Sequence, residues 1–389
     1  MAVGVSAEEE NHACVAVAEQ EFSDVFEEDP CSRIALPPIH LAVKPGAGIT
    51  KRMWCQAFRH TPQEWQFLDG EVMMWLKCKA MYRWNGPSPV CSPLFVTGEP
   101  ESTPRQRSVL GFQHVSELLE DVQFPLEPFE ELLRRTCGDS FYSILDLKSM
   151  YHQMQLDAES QWVTTTSWRG ELMRFGVLME GLKPAPAHAQ SAMVQIFRVG
   201  DKTGEERDRC DLLRRVLELY MDDLFVHTAT LSQHLEALRA VLTQCRLYNV
   251  KLKRAKCKLG VRAVQWLGHV LTNGVYTPPP SYMQKLKQLP KPATVGDMWS
   301  WIGGITWVCK HLPRCQLLVV PLREMVKAVY DGKLGKERQK KQQLGWTAEG
   351  ERAWEDMRDL LDHPEALAVP DVSRQFGVCV GASIFFFGP

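Results

Sequence analysis

Two adjacent carboxylates, Asp222 and Asp223, stand in the middle of an apolar stretch, LELYMDDLFVHT, at residues 217–228. The stretch predicts two short strands joined by a turn, and strands that are apolar on both faces are usually buried. Paired aspartates most often mark an exposed turn, but no Gly, Pro or Asn accompanies this pair, as ordinary turn chemistry would require. Two like charges at the tip of a buried hairpin repel each other and lose their hydration. A divalent cation relieves both costs, and carboxylate oxygens suit Mg²⁺.

A second acid has similar surroundings. Asp146 follows Tyr142, Ile144 and Leu145 at the end of a strand predicted in FYSILDLKSMYHQM. A lone Asp after a strand commonly caps a helix, and the residues alone leave that alternative open. Together, a strand-terminal Asp and an Asp pair on a hairpin about 75 residues later indicate a two-metal site. Such a site clamps the attacking and leaving oxygens of a phosphoryl transfer.

The composition of the whole chain limits the classes of protein that need to be considered. The 389 residues, 45% of them hydrophobic, suffice for roughly two or three globular domains of about 150 residues each. The net charge of −2 means that any nucleic-acid binding must come from local patches. One such run, KLKRAKCKLGVR at residues 251–262, fits either contact with a nucleic-acid backbone or a solvated face. No run reaches the roughly 18 apolar residues of a membrane span.

The cysteine spacing and the N-terminal residues indicate in which cellular compartment the protein resides. The 12 cysteines include no CxxC pair and no spacing typical of a zinc site. The opening, MAVGVSAEEENHAC, lacks the basic region and the apolar core of a secretory signal. We therefore expect reduced thiols and an intracellular protein, cytoplasmic or nuclear and not secreted.

Periodicity along the chain predicts a mixed α+β fold. The acidic residues 1–30 predict a loose tail with one short helix near Phe22–Phe26. From Phe124 onward, helical and strand patterns alternate, and Thr230 is placed to cap a helix at residues 231–250. Further helices are predicted at residues 62–82, 294–328 and 347–362, and a hairpin closed by Asn-Gly is predicted at residues 256–275.

The motifs, in this order, resemble the reverse transcriptase of gypsy-type long-terminal-repeat retrotransposons, from about Phe22 to the C-terminus. SPVCSPLFV is similar to its fingers strand, and FYSILDLKSMYHQMQL to the strand with the first catalytic Asp. GLKPAPAHAQSAM is similar to its palm helix, YMDD to its signature hairpin, and WLGHVLTNGV to its primer-grip hairpin. Most of these motifs are weak singly, whereas their order and spacing are specific.

The resemblance implies the α+β fold of a right-hand polymerase with fingers, palm and thumb, followed by the truncated start of a ribonuclease H-like domain. The implied divisions are an acidic tail at 1–30, an N-terminal extension and fingers at 31–135, a palm with the catalytic hairpin and primer grip at 136–276, a thumb at 277–345, and a connection with the first ribonuclease H-like strand at 346–389.

The resemblance also implies roles for individual residues. The catalytic carboxylates and ligands of two Mg²⁺ ions, with Mn²⁺ as a substitute, are Asp146, Asp222 and Asp223. The substrate-binding positions are Arg107, Tyr151, Glu180, Gln190 and Met221, and the primer-grip positions are Trp266, Leu267 and Gly268. Taken singly, Tyr151 would be an ordinary core aromatic residue and Arg107 an ordinary surface arginine.

Several positions depart from the family pattern. The fingers loop, VTGEPESTPRQR, contains no Lys. Glu180 replaces an aromatic residue in the nucleotide pocket, where its charge would repel a triphosphate, and Ala189 replaces a bulky Phe. Gly381 stands at the first nuclease Asp, and the chain ends six residues after Ser383. We therefore expect no ribonuclease H activity.

Two hypotheses of different class follow. The first is an RNA-directed DNA polymerase that adds deoxynucleotides to a primer 3′-hydroxyl on an RNA or DNA template, with no membrane partner. The second is a decayed or repurposed retroelement fragment, folded but inactive, that at most binds nucleic acid. The sequence gives no indication of oligomeric state.

Overall fold

A computed structural model describes residues 7–27, 29–98, 106–199, 204–272, 274–329 and 335–368. The contacts divide the chain into two compact units. Unit 1 comprises Met1–Pro128 and Asp139–Arg262, and unit 2 comprises Phe129–Gly138 and Ala263–Pro389. The palm predicted at 136–276 draws on both units, and the bounds of fingers, palm and thumb remain a prediction.

Helices and strands are interspersed along the chain, and the strands form antiparallel sheets. This arrangement confirms the predicted α+β class. The α-helices are α1 (Ala7–Ala16), α2 (Pro62–Lys77), α3 (Gln113–Ser116), α4 (Phe129–Thr136), α5 (Ala185–Phe197), α6 (Glu205–Val216), α7 (Leu231–Leu247), α8 (Pro280–Gln288), α9 (Val295–Val308), α10 (Cys315–Val329), α11 (Lys336–Lys340) and α12 (Ala348–Leu360). The strands are β1 (Met81–Trp84), β2 (Leu94–Thr97), β3 (Arg107–Leu110), β4 (Phe141–Asp146), β5 (Thr166–Trp168), β6 (Glu171–Phe175), β7 (Leu217–Tyr220), β8 (Asp223–Thr228), β9 (Lys258–Val261), β10 (Ala263–Trp266), β11 (His269–Thr272), β12 (Val275–Thr277) and β13 (Leu367–Ala368).

The central element of unit 1 is an antiparallel sheet with the order β7-β8-β4-β9. The predicted hairpin around the Asp pair is confirmed, because β7 and β8 pair directly across it. In β8, all residues after Asp223 are buried, as expected for a strand that is apolar on both faces. Helices α5, α6 and α7 pack against these strands. Thr230 caps α7 by accepting a hydrogen bond from the backbone N–H of Gln233.

Two smaller sheets complete unit 1. One has the order β1-β6-β5, and β2 pairs with β3 in a separate hairpin. Helix α2 packs against β1 and β2. It begins at a capping box, in which Thr61 accepts from the backbone N–H of Glu64 while the Glu64 carboxylate accepts from that of Thr61.

The prediction of a loose acidic tail is wrong for residues 7–26. This segment forms α1, a π-helical turn at Val17–Glu21 and a short helix of the 3-10 type at Ser23–Phe26, the last of which confirms the predicted short helix. The reason lies in apolar residues that recur at helical spacing among the acids and join the core of the central sheet. They are Cys14, Val17, Ala18, Phe22 and Val25.

Unit 2 contains an antiparallel sheet with the order β10-β11-β12-β13 and a helical core from α8, α9, α10 and α12. Trp301 and Trp354 pack at the centre of that core, with ring centroids 4.3 Å apart. Gly350 allows α12 to approach α10, because a Cβ there would lie 2.1 Å from the Met325 sulfur. The helix predicted at 347–362 is confirmed as α12.

The helix predicted at 294–328 is instead two helices, α9 and α10, with a corner at Cys309–Arg314. Pro313 explains the break, because a proline disfavours helical backbone in the residue before it. Cys309 and Cys315 form a disulfide across this corner, with Cα atoms 5.5 Å apart. The expectation of reduced thiols is therefore wrong for this pair. The two cysteines are only six residues apart, but a continuous helix over 294–328 would not bring their sulfur atoms together, so the predicted helix concealed the bond.

Some predictions fall outside the described residues. These are the fingers-loop positions 99–105 and the departures near the C-terminus, Gly381 and Ser383. Within the described part of the chain, no helix has both the length and the apolar character that a membrane span would require.

Candidate active site

The sheet of unit 1 brings two of the three predicted catalytic carboxylates together. Asp146 is the last residue of β4, Asp223 is the first of β8, and the antiparallel register makes them direct cross-strand partners. Such partners have Cβ atoms about 4.5–5.5 Å apart. Asp222 precedes Asp223 in the β7–β8 turn and is exposed. The spacing of about 75 residues in the sequence thus becomes adjacency at one end of the sheet.

The three carboxylates interact electrostatically. The pKa of Asp223 is raised from 3.8 to about 6, first by burial and then by the negative charges of Asp222 and Asp146. The nearby Lys256 ammonium acts in the opposite direction. A half-buried carboxylate with two like-charged neighbours is costly unless a cation compensates it.

Lys256 supplies part of that compensation. Its Nζ lies 3.0 Å from Oδ2 of Asp146, and the backbone N–H of Lys253 donates to the Asp146 carbonyl at 2.9 Å. Both lysines belong to the segment that leads into β9, the strand beside β4. The Asp146 side chain is thus oriented toward a protein cation on one side and toward Asp223 on the other.

The basic run at 251–262 has partners that the sequence did not reveal. Arg254 pairs with Glu19 at 2.9 Å and Arg262 with Glu10 at 2.6 Å, while Lys251 donates to the carbonyl of Asp24. Much of this charge is therefore used to hold the acidic N-terminal segment. Neither alternative for the run, nucleic-acid contact or a solvated face, foresaw that pairing.

Gln190 of α5 fixes the turn that carries the Asp pair. Its side-chain Nε2 donates to the Leu219 carbonyl at 3.1 Å, and its Oε1 accepts from the backbone N–H of Met221 at 2.9 Å. Met221 has φ +54°, a left-handed conformation that a non-glycine residue adopts at some cost. The buried amide of Gln190 stabilises this backbone on both sides. The observed contacts of Gln190 are thus positional, and substrate contact by Gln190 and Met221 remains a prediction.

Tyr151 and Glu180 lie close to the same carboxylates. The pKa of Tyr151 is raised by burial and then by the negative charges of Glu180 and Asp222. Glu180 is exposed, and Ala189 is buried in α5. The structure therefore brings the predicted sugar-facing tyrosine, the unusual acid and the Asp pair into one neighbourhood.

Arg107 is placed differently. It is the first residue of β3, opposite Thr97, and is exposed. It makes no ion pair with any residue that the structure describes. Its predicted contact with a triphosphate remains a prediction.

The predicted primer-grip residues form a tight turn in unit 2. Trp266 ends β10 and is buried, while Leu267 and Gly268 have φ of +44° and +80°. A Cβ at Gly268 would lie 2.6 Å from the ring of Trp307, so the glycine permits both the turn and the contact. His269, which follows, stacks on Phe129 with centroids 4.6 Å apart.

A second group of potential metal ligands lies elsewhere in unit 1. His40, Asp157 and Glu159 have ligand atoms within 4.8 Å of one another, and no other such trio occurs in the described residues. His40 already bonds to Asp157 at 2.6 Å. No sequence signal pointed to this group, since it joins residues more than 100 positions apart.

Comparison with known proteins defines the class. Residues 104–271 match the family described as "Reverse transcriptase (RNA-dependent DNA polymerase)". That region includes every predicted carboxylate and is similar to reverse transcriptases. The predicted resemblance to the reverse transcriptases of retrotransposons is confirmed.

The chain is also similar to polyproteins of transposons. Two polyproteins of Schizosaccharomyces pombe, of the transposons Tf2-3 and Tf2-7, are 23% and 22% identical to this chain over 314 residues. The alignment covers 81% of this chain and 22% of each polyprotein, so the chain spans about a fifth of the length of these relatives.

Solved structures confirm the fold. The foamy viral protease-reverse transcriptase in complex with an RNA/DNA hybrid gives a TM-score of 0.72 at 18% identity, covering 90% of this chain and 44% of that one. The same viral protein in complex with double-stranded DNA gives 0.76 at 18% identity, covering 96% and 75%. The fold class predicted from the motifs is therefore that of a reverse transcriptase.

Proposed function

We propose that this reverse transcriptase domain, of the gypsy type, is an active RNA-directed DNA polymerase whose catalytic residues are Asp146, Asp222 and Asp223. The observation that carries the proposal is the cross-strand pairing of Asp146 with Asp223, together with the raised pKa of Asp223. Three carboxylates that repel one another at the end of a rigid sheet have a clear physical use as ligands of divalent cations.

The donor set fits Mg²⁺. All three candidate ligands are carboxylates, hard oxygen donors of the kind that Mg²⁺ and Mn²⁺ prefer, and two of them sit on paired strands. Two Mg²⁺ ions held here would neutralise the negative charge that develops on the transferred phosphoryl group. Reverse transcriptases in general use divalent metals, and the number and identity of the ions are part of the proposal.

The protein's own contribution is positioning. Gln190 holds the turn, so that Asp222 and Asp223 keep a fixed geometry relative to Asp146. Tyr151 presents a half-buried ring beside the Asp pair, where it would pack under the sugar of an incoming deoxynucleotide. Phosphoryl transfer depends largely on such alignment and on electrostatics.

The proposed partners are a primer–template duplex, with RNA or DNA as the template, and deoxynucleoside triphosphates. The viral relatives in the solved structures hold an RNA/DNA hybrid or double-stranded DNA, which supports this choice. Arg107 is proposed to bind the triphosphate, and Trp266, Leu267 and Gly268 are proposed to hold the primer. The fingers, palm and thumb bounds given above are proposed with them.

One observation favours the inactive alternative. Glu180 lies near Tyr151, so it would add negative charge where a triphosphate must approach. A single exposed carboxylate weakens nucleotide binding but leaves the metal ligands in place. We therefore favour an active enzyme with reduced nucleotide affinity.

Primer extension tests the proposal. Wild-type protein with a DNA primer on a homopolymer RNA template should extend the primer when Mg²⁺ or Mn²⁺ is present and stop when the metal is chelated. Asp223→Asn should be inactive under the same conditions, whereas Asp157→Asn, a carboxylate outside the site, should retain activity. Inactivity of the wild type with both metals on RNA and DNA templates would establish the inactive-fragment hypothesis instead.

A further inference from the structure

The corner between α9 and α10 is closed by the disulfide between Cys309 and Cys315. Both residues are buried, and they bracket the seven-residue segment CKHLPRC. None of the other nine described cysteines forms a disulfide with a described residue. Covalent cross-linking within the described residues is thus confined to this corner, which indicates a local role.

The corner makes several contacts within unit 2. The Lys310 ammonium lies 5.0 Å from the ring centroids of both Phe129 and Tyr276. The His311 ring and backbone bond to the backbone of Glu365 at 2.9 and 2.8 Å. A change in the position of this segment would therefore be transmitted to three neighbouring elements.

One of these contacts reaches the predicted primer grip. Trp307, two residues before Cys309, packs against Gly268 so closely that a Cβ there would lie 2.6 Å from its ring. The Trp307 ring also lies 4.8 Å from that of His269. The turn at 266–268 is thus supported by the residue that enters the disulfide-closed corner.

The disulfide is chemically accessible from one side. Cys309 lines an open cavity of about 390 Å³, together with Phe129, Glu130, His269 and Trp307. Cys309 is 8% exposed, whereas Cys315 is 1% exposed. Cys309 is therefore the cysteine to which we assign attack by an external thiolate.

We propose that Cys309 and Cys315 form a reversible redox site that controls the rigidity of the turn at 266–268. On oxidation, the two thiols lose two electrons and two protons to a small disulfide such as glutathione disulfide, which leaves as two glutathione thiols. The step proceeds through a mixed disulfide on Cys309, and the Cys315 thiolate then displaces glutathione. The link to primer binding rests on the proposed function, whereas the redox chemistry and the rigidity of the turn do not.

Hydrogen exchange on the whole protein tests the inference without reference to activity. Samples are equilibrated in glutathione buffers of defined potential, alkylated, and compared by mass spectrometry. We expect the pair to form reversibly, and peptides spanning 263–272 and 303–312 to exchange about tenfold more slowly in the oxidised form. The upper bound is about 50-fold, the chain-entropy effect of closing a seven-residue loop.

Two kinds of variant serve as controls. Cys309→Ser and Cys315→Ser should remove the redox dependence of exchange, whereas Cys31→Ser, at an exposed thiol outside the corner, should preserve it. Equal exchange of both peptides in the oxidised and reduced wild type would overturn the inference, as would persistence of the dependence in Cys309→Ser.

Primer binding separates this inference from the proposed function. If both hold, reduction of the wild type weakens primer–template affinity while nucleotide KM stays the same. If exchange responds to redox but the protein never extends a primer with Mg²⁺ or Mn²⁺, the redox site stands and the proposed function fails. If the protein extends a primer but hydrogen exchange does not respond to redox potential, the proposed function stands and the redox site fails.

Discussion

Replacing Asp223 by Asn should stabilise the metal-free protein while abolishing its activity. Asp223 has a folded-state pKa of about 6, raised by burial and by Asp222 and Asp146, against 3.8 for the ordinary carboxyl. Because the pKa is raised on folding, the ionised carboxylate opposes folding. The contribution of Asp223 to stability is therefore fully present below about pH 4 and is lost as the pH rises through about 6.

The magnitude follows from this difference. The difference between the folded-state pKa of about 6 and the ordinary value of 3.8 corresponds to a loss of about 3 kcal/mol in the free energy of unfolding at pH 7. Asp223 is partly exposed to solvent, so screening reduces the effect to about 1–2 kcal/mol. Asn preserves the shape of the side chain and removes the charge, and the variant should gain that amount, or about 2–8 °C in unfolding temperature. Mg²⁺ at a hundredfold excess over its Kd would stabilise the wild type by about 2.7 kcal/mol and thereby reverse the order.

The assay is thermal and urea unfolding of both proteins, with a metal chelator and with Mg²⁺, from pH 4 to pH 8. The stability difference in chelator should grow with pH and shrink to nothing near pH 4. Asp157→Asn, outside the carboxylate cluster, is the matched control and should show no such gain. A variant that is less stable than the wild type at pH 7 in chelator would refute the electrostatic argument.

Three further predictions concern the pocket, the hairpin and the N-terminal segment. Glu180→Gln removes a charge that repels the nucleotide and should lower the KM for nucleotide by about tenfold, a size limited by exposure and by screening from bound cations. Glu180→Phe should lower this KM at least as much. An unchanged KM in steady-state extension by both variants would show that this carboxylate does not face the nucleotide. Gln190→Ala removes both hydrogen bonds to the turn, so it should lower the free energy of unfolding by about 1–3 kcal/mol and should lower kcat more than it raises KM. An effect on KM alone would instead identify Gln190 as a substrate ligand. Phe22→Ala should destabilise unit 1 by about 3–5 kcal/mol, because the ring is buried in the core. The control Phe58→Ala, at an exposed ring, should change stability by less than about 0.5 kcal/mol. Equal urea midpoints for these two variants would contradict the packing of residues 7–26 against the core of unit 1.

The carboxylate hairpin could be predicted because its physics is local. Apolar residues flanking two charges indicate buried strands, and the same pattern before Asp146 indicates a third. What the sequence could not provide was the register, since pairing of β4 with β8 depends on contacts between residues far apart in the chain. Resemblance to a family predicted only that the three carboxylates share one metal site, and left the pairing of the strands open.

The errors have a common physical origin. The acidic composition of the N-terminal segment predicts a tail, although Val17, Phe22 and Val25 are buried. The partners Arg254 and Arg262 lie more than 200 residues away, so no local pattern shows that they hold the segment. The ion pair of Asp146 with Lys256 arises in the same way, from tertiary proximity. The disulfide is different, because it closes a short loop and depends on the backbone corner between α9 and α10. Local patterns identify which residues are unusual, whereas tertiary structure decides which residues they meet.

The central claim, that Asp146, Asp222 and Asp223 hold divalent cations, can be tested most directly by metal-directed cleavage of the backbone. Fe²⁺ replaces Mg²⁺ on the folded protein, ascorbate and peroxide generate radicals at the bound ion, and mass spectrometry locates the cuts. We predict cuts clustered at residues 144–148 and 220–224, suppressed by excess Mg²⁺ and absent in Asp223→Asn. Cuts confined to the surroundings of His40 and Asp157, or a wild-type pattern that persists in Asp223→Asn, would contradict the claim.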